Sequence, residues 1–283
     1  MNDRAAGIDE IVARALAEDR AAEDVTTALL VDRALGGEAS IVARAPGVIS
    51  GQECAAAAFR LAGAPDYTAL VPDGGRVRAG DTVAAVAGPL AAILSGERTA
   101  LNFLGHLSGV ATATDSLVSR IGDGRTRILD TRKTTPGLRL LEKKAVRDGG
   151  GMNHRHDLAS YILVKENHIA AAGGIGKVSA VLGRRIALSE VEVTSLEELR
   201  LLESAPPGRI MLDNFPPAMV AEAVGEIRRW TPPRPAVEVS GGINAGNVAE
   251  YAMPGVDFIS SGSITSSAAS LDLSLLVGKG AKR

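Results

Sequence analysis

Six short apolar runs in the second half of the chain each stop at a polar or glycine-rich cluster, and helical stretches separate them. The runs are RILDTRK, YILVKENH, EVEVT, IMLDN, AVEVSGG and DFISSGS. Continuous apolar strands that alternate with helices predict a parallel sheet buried on both faces. Six such units favour a closed α/β barrel, although a doubly wound sheet has the same pattern.

The first hundred residues have a different pattern. Apolar residues recur at helical spacing over residues 8–17, residues 39–51 read as β, and an alanine-rich helix is expected over 52–61. Glycine pairs then separate short valine-rich runs in ALVPDGGRVRAGDTVAAVAGPLAAIL, which is typical of antiparallel hairpins. The sequence therefore predicts a small N-terminal α+β sandwich domain.

The segment SGERTALNFLGHLSGVATATDSLVSRI marks the boundary between these two patterns. It keeps an apolar stripe for several turns and opens with Ser95 as a candidate helix cap. We expect an N-terminal domain over residues 1–108 and the barrel over 109–283, with the C-terminal end able to pack back on the N-terminal domain.

Composition limits the partners of the chain. Apolar residues make up 46% of its 283 residues, and the formal net charge is −2. A nucleic-acid or membrane-surface partner usually requires a basic excess over a whole face, so neither is expected. The single cysteine, Cys54, excludes an internal disulfide and fits a reducing compartment. The N-terminus lacks the apolar core of a signal peptide, and we expect a cytoplasmic protein.

Polar residues follow each of the six predicted strands. Because the carboxyl ends of barrel strands meet at one mouth, these residues are predicted to share a site. They are Arg132, Lys133, Lys165, Glu192, Asp213, Ser240, Gly241 and Gly262.

One half of this mouth is predicted to be cationic. Arg132, Lys133, Arg155 and Lys165 supply the charge. Arginine suits planar carboxylates and lysine acts as a point charge, so the expected ligand carries several negative charges. The cations at 143, 144 and 147 on the following helix are expected to be ordinary solvated surface residues.

Two carboxylates are expected beside this cationic half. Glu192 and Asp213 end neighbouring units, and Glu190 shares a strand face with Glu192 by the period of two. They could hold magnesium, bind ribose hydroxyls, act as an acid and base pair, or pair with a barrel lysine.

Glycine turns close the last two units, in VSGGIN and SSGSIT. Backbone N–H groups in such turns can approach a phosphate, and two in succession at the end of a barrel predict a phosphorylated substrate.

His154, His156 and His168 are close in sequence. Their spacing lacks a firm third ligand, so a polar or structural role is favoured over metal binding.

The ordered motifs together resemble the nicotinate-nucleotide pyrophosphorylase (carboxylating) family, also called quinolinate phosphoribosyltransferase. The matching stretches are EDVTT, ERTALNFLGHLSGVAT, DTRKTTPGLRLLEKKAV, GGGMNHR, LVKENHI, VEVTSLEEL, IMLDN, VSGGI and GVDFISSGSIT. The resemblance implies an N-terminal α/β domain packed on an incomplete α/β barrel, and a homodimer whose subunits share their active sites.

The resemblance also implies an activity. Quinolinate and phosphoribosyl pyrophosphate would give nicotinate mononucleotide, pyrophosphate and CO2 with Mg2+, a step of NAD biosynthesis. Lys133, Lys165, Glu192 and Asp213 would be catalytic, and the last two would be candidate Mg2+ ligands. The implied substrate-binding set is Arg98 (from the dimer partner), Thr131, Arg132, Lys133, His154, Arg155, Lys165, Glu192, Asp213, Ser240, Gly241, Gly242, Ser261, Gly262 and Ser263.

Three other interpretations fit parts of the sequence. A related barrel phosphoribosyltransferase, including the molybdenum-operon paralogues, would act on nicotinic acid or another pyridine. A Schiff-base aldolase would use Lys133 or Lys165 as nucleophile, but both lysines lie among other cations and polar groups. A non-catalytic sugar-phosphate-binding barrel or acyl-carrier module is suggested by DGGRVRAGDTVAAV, which lacks a lysine at a hairpin tip.

Overall fold

The computed structural model describes residues 2–122 and 124–278. The chain forms two compact units. The first comprises Met1–Asp115, Thr135–Gly150 and Ala268–Arg283, and the second comprises Ser116–Thr134 and Gly151–Ser267. This division differs from the predicted boundary at 108/109. That position lies inside one continuous helix, and two later segments of the chain return to the first unit.

The first unit is built on a four-stranded antiparallel sheet of order β12-β1-β5-β3, with a separate two-stranded pair, β2-β4. Its elements are α1 (Asn2–Glu18), α2 (Val25–Leu30), β1 (Gly36–Ala43), β2 (Gly47–Val48), α3 (Gln52–Ala62), β3 (Asp66–Ala69), β4 (Arg76–Val77), β5 (Thr82–Pro89), α4 (Leu90–Ile121), α5 (Arg139–Asp148) and β12 (Leu273–Val277), and the last turns of α4 belong to the second unit. The antiparallel pairing of β3 with β5 agrees with the hairpin prediction, whereas β4 pairs with β2 and not with its neighbours in the chain.

Helix α3 confirms the alanine-rich prediction. Its buried face consists of Cys54 with alanines and Phe59. The helix ends at Gly63, whose φ of 105° is a left-handed conformation and whose N–H donates to the carbonyl oxygens of Phe59 and Arg60. Small side chains therefore let this helix pack closely within the first unit.

The predicted cap at Ser95 is wrong. Helix α4 begins at Leu90, directly after the strand that ends in Pro89, and Ser95 lies within the helix. The apolar residues of LAAIL continue the helical spacing upstream of Ser95, so the pattern predicts a helix that begins before Ser95. The Ser95 hydroxyl instead donates to Asp24 Oδ2 at 3.2 Å.

The expectation of solvated cations on α5 is wrong for two of the three. Lys143 is fully buried, and Lys144 Nζ donates to Asp73 Oδ2 at 2.5 Å and Asp148 Oδ2 at 2.6 Å. Burial acts to lower the pKa of Lys144, but the hydrogen bonds to Asp148 and Asp73 outweigh it and raise that pKa. Of these three cations, only Arg147 is exposed. Lys144 therefore joins α5 to the loop that holds Asp73.

The second unit is a six-stranded parallel sheet of order β6-β11-β10-β9-β8-β7. Its elements are β6 (Arg127–Leu129), β7 (Ile162–Val164), α6 (Glu166–Ala172), α7 (Ile175–Leu182), β8 (Ser189–Val193), α8 (Leu196–Arg200), β9 (Arg209–Asp213), α9 (Pro217–Ile227), β10 (Ala236–Ser240), α10 (Val248–Tyr251), β11 (Phe258–Ser260) and α11 (Ser263–Ser266).

The six strands are the six apolar runs. Strands β6 and β7 are the two edges of the sheet, yet residues that follow both line the same cavity, so the sheet curls into an incomplete barrel. A single parallel bridge between Leu129 and Met152 extends the β6 edge. The incomplete barrel that the resemblance implied is thus confirmed, whereas neither the closed barrel favoured by the strand pattern nor the doubly wound alternative forms. Across the described part of the chain, no helix is long and apolar enough to cross a membrane.

Candidate active site

A cavity of about 820 Å³ opens at the carboxyl ends of the barrel strands. Every predicted site residue of the second unit lines it, which places residues up to 132 positions apart in the chain around one space. They are Thr131, Arg132, Lys133, His154, Arg155, Lys165, Glu192, Asp213, Ser240, Gly241, Gly242, Ser261, Gly262 and Ser263. Glu192 lies within β8, Asp213 and Ser240 are the last residues of β9 and β10, and the others come from loops or, for Ser263, from the start of α11, so the strands fix the positions of the carboxylates.

Arg98 lies elsewhere. It is on α4 in the first unit and lines a cavity of about 390 Å³ there, together with Asn102 and His106. His106 Nε2 lies 2.8 Å from Oε1 of the buried Glu142. This contact gives His106 a structural role on α4.

The cationic side of the barrel cavity contains two neighbouring guanidinium groups. Burial lowers the pKa of Arg155, and the positive charge of Arg132 lowers it further. Arg155 Nη1 donates to the backbone oxygen of Tyr161 at 3.1 Å, which orients the side chain. Two cations that repel each other at a cavity wall form a site for a ligand with more than one carboxylate.

The acidic side carries a lysine–glutamate pair and a second carboxylate. Lys165 Nζ donates to Glu192 Oε2, so the ion pair that was one of the open alternatives for Glu192 forms. Burial raises the pKa of Asp213, and the negative charge of Glu192 raises it further. Asn214 Nδ2 donates to Asp213 Oδ2 at 2.6 Å. The two carboxylates are close enough to repel each other, which a bound cation or hydroxyl donors would relieve.

The turn after β10 requires glycine. Gly241 has a φ of 97°, and a Cβ there would lie 2.7 Å from the backbone nitrogen of Asn214. That nitrogen donates to the Ser240 carbonyl oxygen at 2.8 Å. The backbone of this turn therefore packs against Asn214 with no room for a side chain and remains open to the cavity at Gly242.

The turn after β11 is held by its serines. Ser261 Oγ donates to the Ile243 carbonyl oxygen at 2.6 Å and lies 2.7 Å from Ser263 Oγ. A Cβ at Gly262 would lie 3.0 Å from Lys133 Cδ, so the lysine stem crosses this glycine. Thr265 Oγ1 donates to the Lys133 carbonyl oxygen at 2.7 Å. The turn thus positions Lys133 beside the glycine loop.

Several cavity residues were not predicted. Glu238 in the middle of β10, Ser260 at the end of β11, and Asn214 all line the cavity. Asp130 does as well, and its carboxylate accepts hydrogen bonds from His154 N at 2.8 Å and Asn153 Nδ2 at 2.6 Å. A glutamate in the centre of an apolar strand, as in AVEVS, was the available signal for Glu238.

The three histidines do not form a metal site together. His168 Nδ1 accepts from the backbone nitrogen of Lys165 at 3.0 Å. His154 groups instead with Glu190 and Glu238, and within the described ranges this is the one group of such side chains whose potential ligand atoms lie close together. Arg209 Nη1 donates to Glu238 Oε2 at 2.8 Å and lies 3.9 Å from Glu190 Oε2. A guanidinium already donates to one of these carboxylates and lies near the other, which disfavours a metal ion.

Comparison with known proteins identifies the family. Residues 24–108 match the family described as "Quinolinate phosphoribosyl transferase, N-terminal domain", and residues 110–276 match the corresponding C-terminal domain. The chain belongs to the quinolinate phosphoribosyl transferase family.

Relatives and solved structures match most of the chain. The chain is 40% identical over 274 residues to the nicotinate-nucleotide pyrophosphorylase [carboxylating] of Mycobacterium leprae, covering 94% of this chain and 95% of that one. It is 40% identical over 262 residues to the probable carboxylating enzyme of Bacillus subtilis, covering 89% of each. The structure of the nicotinate-nucleotide pyrophosphorylase from Francisella tularensis superposes with a TM-score of 0.86 at 38% identity and covers 97% of each chain.

Proposed function

We propose that this protein transfers the phosphoribosyl group of 5-phosphoribosyl 1-pyrophosphate to the ring nitrogen of quinolinate and decarboxylates the product. The products are nicotinate mononucleotide, pyrophosphate and CO2. The observation that carries the proposal is one cavity in which paired guanidiniums, a carboxylate pair and two glycine turns meet. Family membership and the relatives' names support the same reaction.

Quinolinate fits the cationic side. Its two adjacent carboxylates match two neighbouring guanidiniums, and we assign them to Arg132 and Arg155, with Lys165 nearby. Nicotinic acid has one carboxylate and would leave one of these cations without a partner. His154 lies in the same wall, and Thr131 presents its hydroxyl to the backbone nitrogen of Lys133 at 3.0 Å.

Phosphoribosyl pyrophosphate fits the opposite side. The turns at 240–242 and 261–263 would receive phosphate oxygens, and Lys133 would balance their charge. Glu192 and Asp213 would accept hydrogen bonds from ribose hydroxyls or hold Mg2+. Both carboxylates offer the hard oxygen ligands that a divalent cation prefers. The negative charge of Glu192 raises the pKa of Asp213, and a bound cation would relieve this repulsion between the two carboxylates. Magnesium, when bound, would neutralise charge on the leaving pyrophosphate.

The residues supply position and charge rather than a covalent nucleophile. The ring nitrogen of quinolinate displaces pyrophosphate at the anomeric carbon through a transition state that resembles an oxocarbenium ion. Glu192 and Asp213 offer negative charge on the sugar side of that cation. Lys165 is ion-paired with Glu192, so it is not the free amine in an apolar pocket that a Schiff-base aldolase needs.

We also propose that the protein works as a homodimer in the cytoplasm. The resemblance assigns Arg98 to the site of the partner subunit, and Arg98 lines an open cavity on the first unit. The single buried cysteine fits a reducing compartment.

The decisive experiment offers two substrates. The purified protein is incubated with phosphoribosyl pyrophosphate, Mg2+ and either quinolinate or nicotinic acid, and nicotinate mononucleotide and CO2 are measured. We expect product in the incubation with quinolinate and none in the incubation with nicotinic acid. Product from nicotinic acid alone would indicate a paralogue of changed specificity, and no product from either would reject the proposed reaction.

The shared site has its own test. Inactive Arg98→Ala and Arg132→Ala proteins are mixed under conditions that exchange subunits. If Arg98 serves the partner, one of the two sites in a mixed dimer carries both changes and the other carries neither, so activity returns. Absence of recovery despite demonstrated exchange would place Arg98 outside the partner's site.

A further inference from the structure

A buried glutamate on β8 holds the imidazole of His154. Glu190 has no exposed surface, and its Oε2 lies 3.0 Å from His154 Nε2. Glu238 Oε2 lies farther from the same nitrogen, at 3.8 Å, and accepts a hydrogen bond from Arg209 Nη1 at 2.8 Å. Of these two carboxylates, Glu190 is the one within hydrogen-bonding distance of the ring. The proposed reaction does not yet use it.

The neighbouring backbone assigns the direction of this hydrogen bond. A backbone N–H can only donate, and the nitrogen of Arg155 lies 2.6 Å from His154 Nδ1. Nδ1 is therefore an acceptor without a proton, and the ring proton is on Nε2, where it is donated to Glu190. A charged imidazole has a proton on both nitrogens, and its Nδ1–H would oppose the N–H of Arg155. These contacts thus require a neutral His154 whose proton is on Nε2.

Other contacts fix the rest of His154. Its backbone nitrogen donates to Asp130 Oδ1 at 2.8 Å, and the Tyr161 ring meets the imidazole edge-on with the ring centroids 6.3 Å apart. The backbone oxygen of Tyr161 in turn accepts from Arg155 Nη1 at 3.1 Å. His154 and Arg155 both line the barrel cavity. The imidazole therefore lies between Glu190 and the segment that carries the Arg155 guanidinium.

We propose that Glu190 is a positioning residue of the quinolinate site, acting through His154 to fix the Arg155 guanidinium at the cavity wall. The inference rests on the proposed function, in which Arg155 binds a quinolinate carboxylate. Glu190 has no surface with which to touch a ligand, so its effect passes through the imidazole. Without an acceptor at Nε2, the ring loses the contact that sets its rotation, and the Arg155 N–H loses a defined partner. A displaced guanidinium fits a planar carboxylate poorly.

Glu190→Leu tests this role, because leucine fills the space and offers no acceptor. The Arg209–Glu238 pair stays intact in the variant, so its buried charges remain compensated and we expect it to fold. Calorimetric titration with quinolinate should show a loss of affinity of at least about 10-fold. The KM for quinolinate should rise likewise, while kcat and the KM for phosphoribosyl pyrophosphate change little. A merely structural role would impair kcat and both substrates together.

Two single substitutions are the controls. Glu190→Gln keeps an oxygen that accepts from His154 Nε2, so it should retain most of the affinity for quinolinate. Glu250→Leu makes the same change as Glu190→Leu at an exposed position of the second unit, and it should leave that affinity unchanged. A loss in Glu190→Gln as large as that in Glu190→Leu would contradict a role as hydrogen-bond acceptor.

A double substitution tests the path through the imidazole. His154→Phe keeps an aromatic ring but has no nitrogen for Glu190 to hold. Adding Glu190→Leu to His154→Phe should therefore cause no further loss of quinolinate affinity. If Glu190→Leu costs the same in both backgrounds, or nothing in either, Glu190 does not act through His154 and the proposal is wrong.

The state of His154 can be measured without any reaction. Nitrogen NMR of protein with isotope-labelled histidine reports the protonation of each ring nitrogen, and His154→Phe identifies its signals among the four histidines. We expect a neutral ring with its proton on Nε2. A proton on Nδ1, or on both nitrogens, would overturn the proposal, and this result decides if Glu190→Leu does not fold. An unmodified protein that neither binds quinolinate nor forms product from it would instead reject the proposed function.

Discussion

Lys165 and Glu192 form an ion pair that joins the carboxyl ends of the neighbouring strands β7 and β8. The lysine side chain is 45% exposed, whereas the glutamate is 7% exposed. The buried partner therefore depends on the exposed one for its charge compensation.

Breaking this pair from the lysine side should cost stability and activity. Lys165→Met leaves a buried carboxylate without its cation, and we expect a loss of about 1 to 2 kcal/mol in the free energy of unfolding, discounted for the exposure of Lys165. The double variant Lys165→Met, Glu192→Gln should regain most of that stability but no activity. Denaturant unfolding and turnover of both proteins check this. A double variant no more stable than Lys165→Met would contradict the assigned dependence.

The guanidinium pair should discriminate dicarboxylates. Arg132→Lys and Arg155→Lys each replace a planar fork by a point charge, so we expect quinolinate to bind about 10-fold more weakly. Titration with quinolinate and with nicotinic acid measures the effect, which should be larger for the dicarboxylate. Arg184→Lys, at an exposed position of the same unit, is the matched control. Equal losses for both ligands would contradict a clamp on two carboxylates.

The two glycines after β10 should respond differently to substitution. Gly241→Ala puts a Cβ 2.7 Å from the Asn214 nitrogen at a φ of 97°, so we expect a loss of about 2 to 4 kcal/mol. Gly242 has a φ of 62° and open space around its Cβ position. Gly242→Asn should cost less than about 1 kcal/mol, since asparagine tolerates this region. Urea unfolding compares them, and equal costs would refute the steric argument.

Much of the barrel and its mouth was predictable because two simple regularities coincide there. Each strand is an apolar run that ends at a charged residue or glycine, and parallel strands must bring those ends to one edge. Lys165, Glu192 and Gly241 were found this way without knowledge of contacts. The sheet order, in which β6 neighbours β11, depends on pairing between distant segments and could not be read locally.

Other features depend on tertiary contacts that leave no local signal. Lys143 lies in a run of cations that looks solvated, yet it is fully buried. The start of α4 at Leu90 was missed because Ser95 matches a cap residue by type alone. Glu238 was overlooked because one glutamate in an apolar strand usually faces solvent, and only the packed barrel shows Arg209 and Glu190 beside it.

Glu238 should also make folding stability depend on pH. Its folded pKa of about 7 lies above the ordinary value of 4.5, so the folded state holds a proton that the unfolded state releases between these values. The stabilisation is therefore complete below pH 4.5 and is lost as the pH rises through 7. A shift of this size corresponds to a loss on the order of 3 kcal/mol.

Glu238→Gln removes this titration while keeping the shape of the neutral acid. We expect the variant to gain stability relative to the unmodified protein as the pH rises from 4.5 to 7.5, by on the order of 3 kcal/mol. Urea unfolding of both proteins at several pH values measures the difference, in which titrations of other groups largely cancel. Glu250→Gln, at an exposed position, is the control and should show no such trend. A stability difference that is constant with pH would mean that Glu238 is ionised throughout, paired with Arg209.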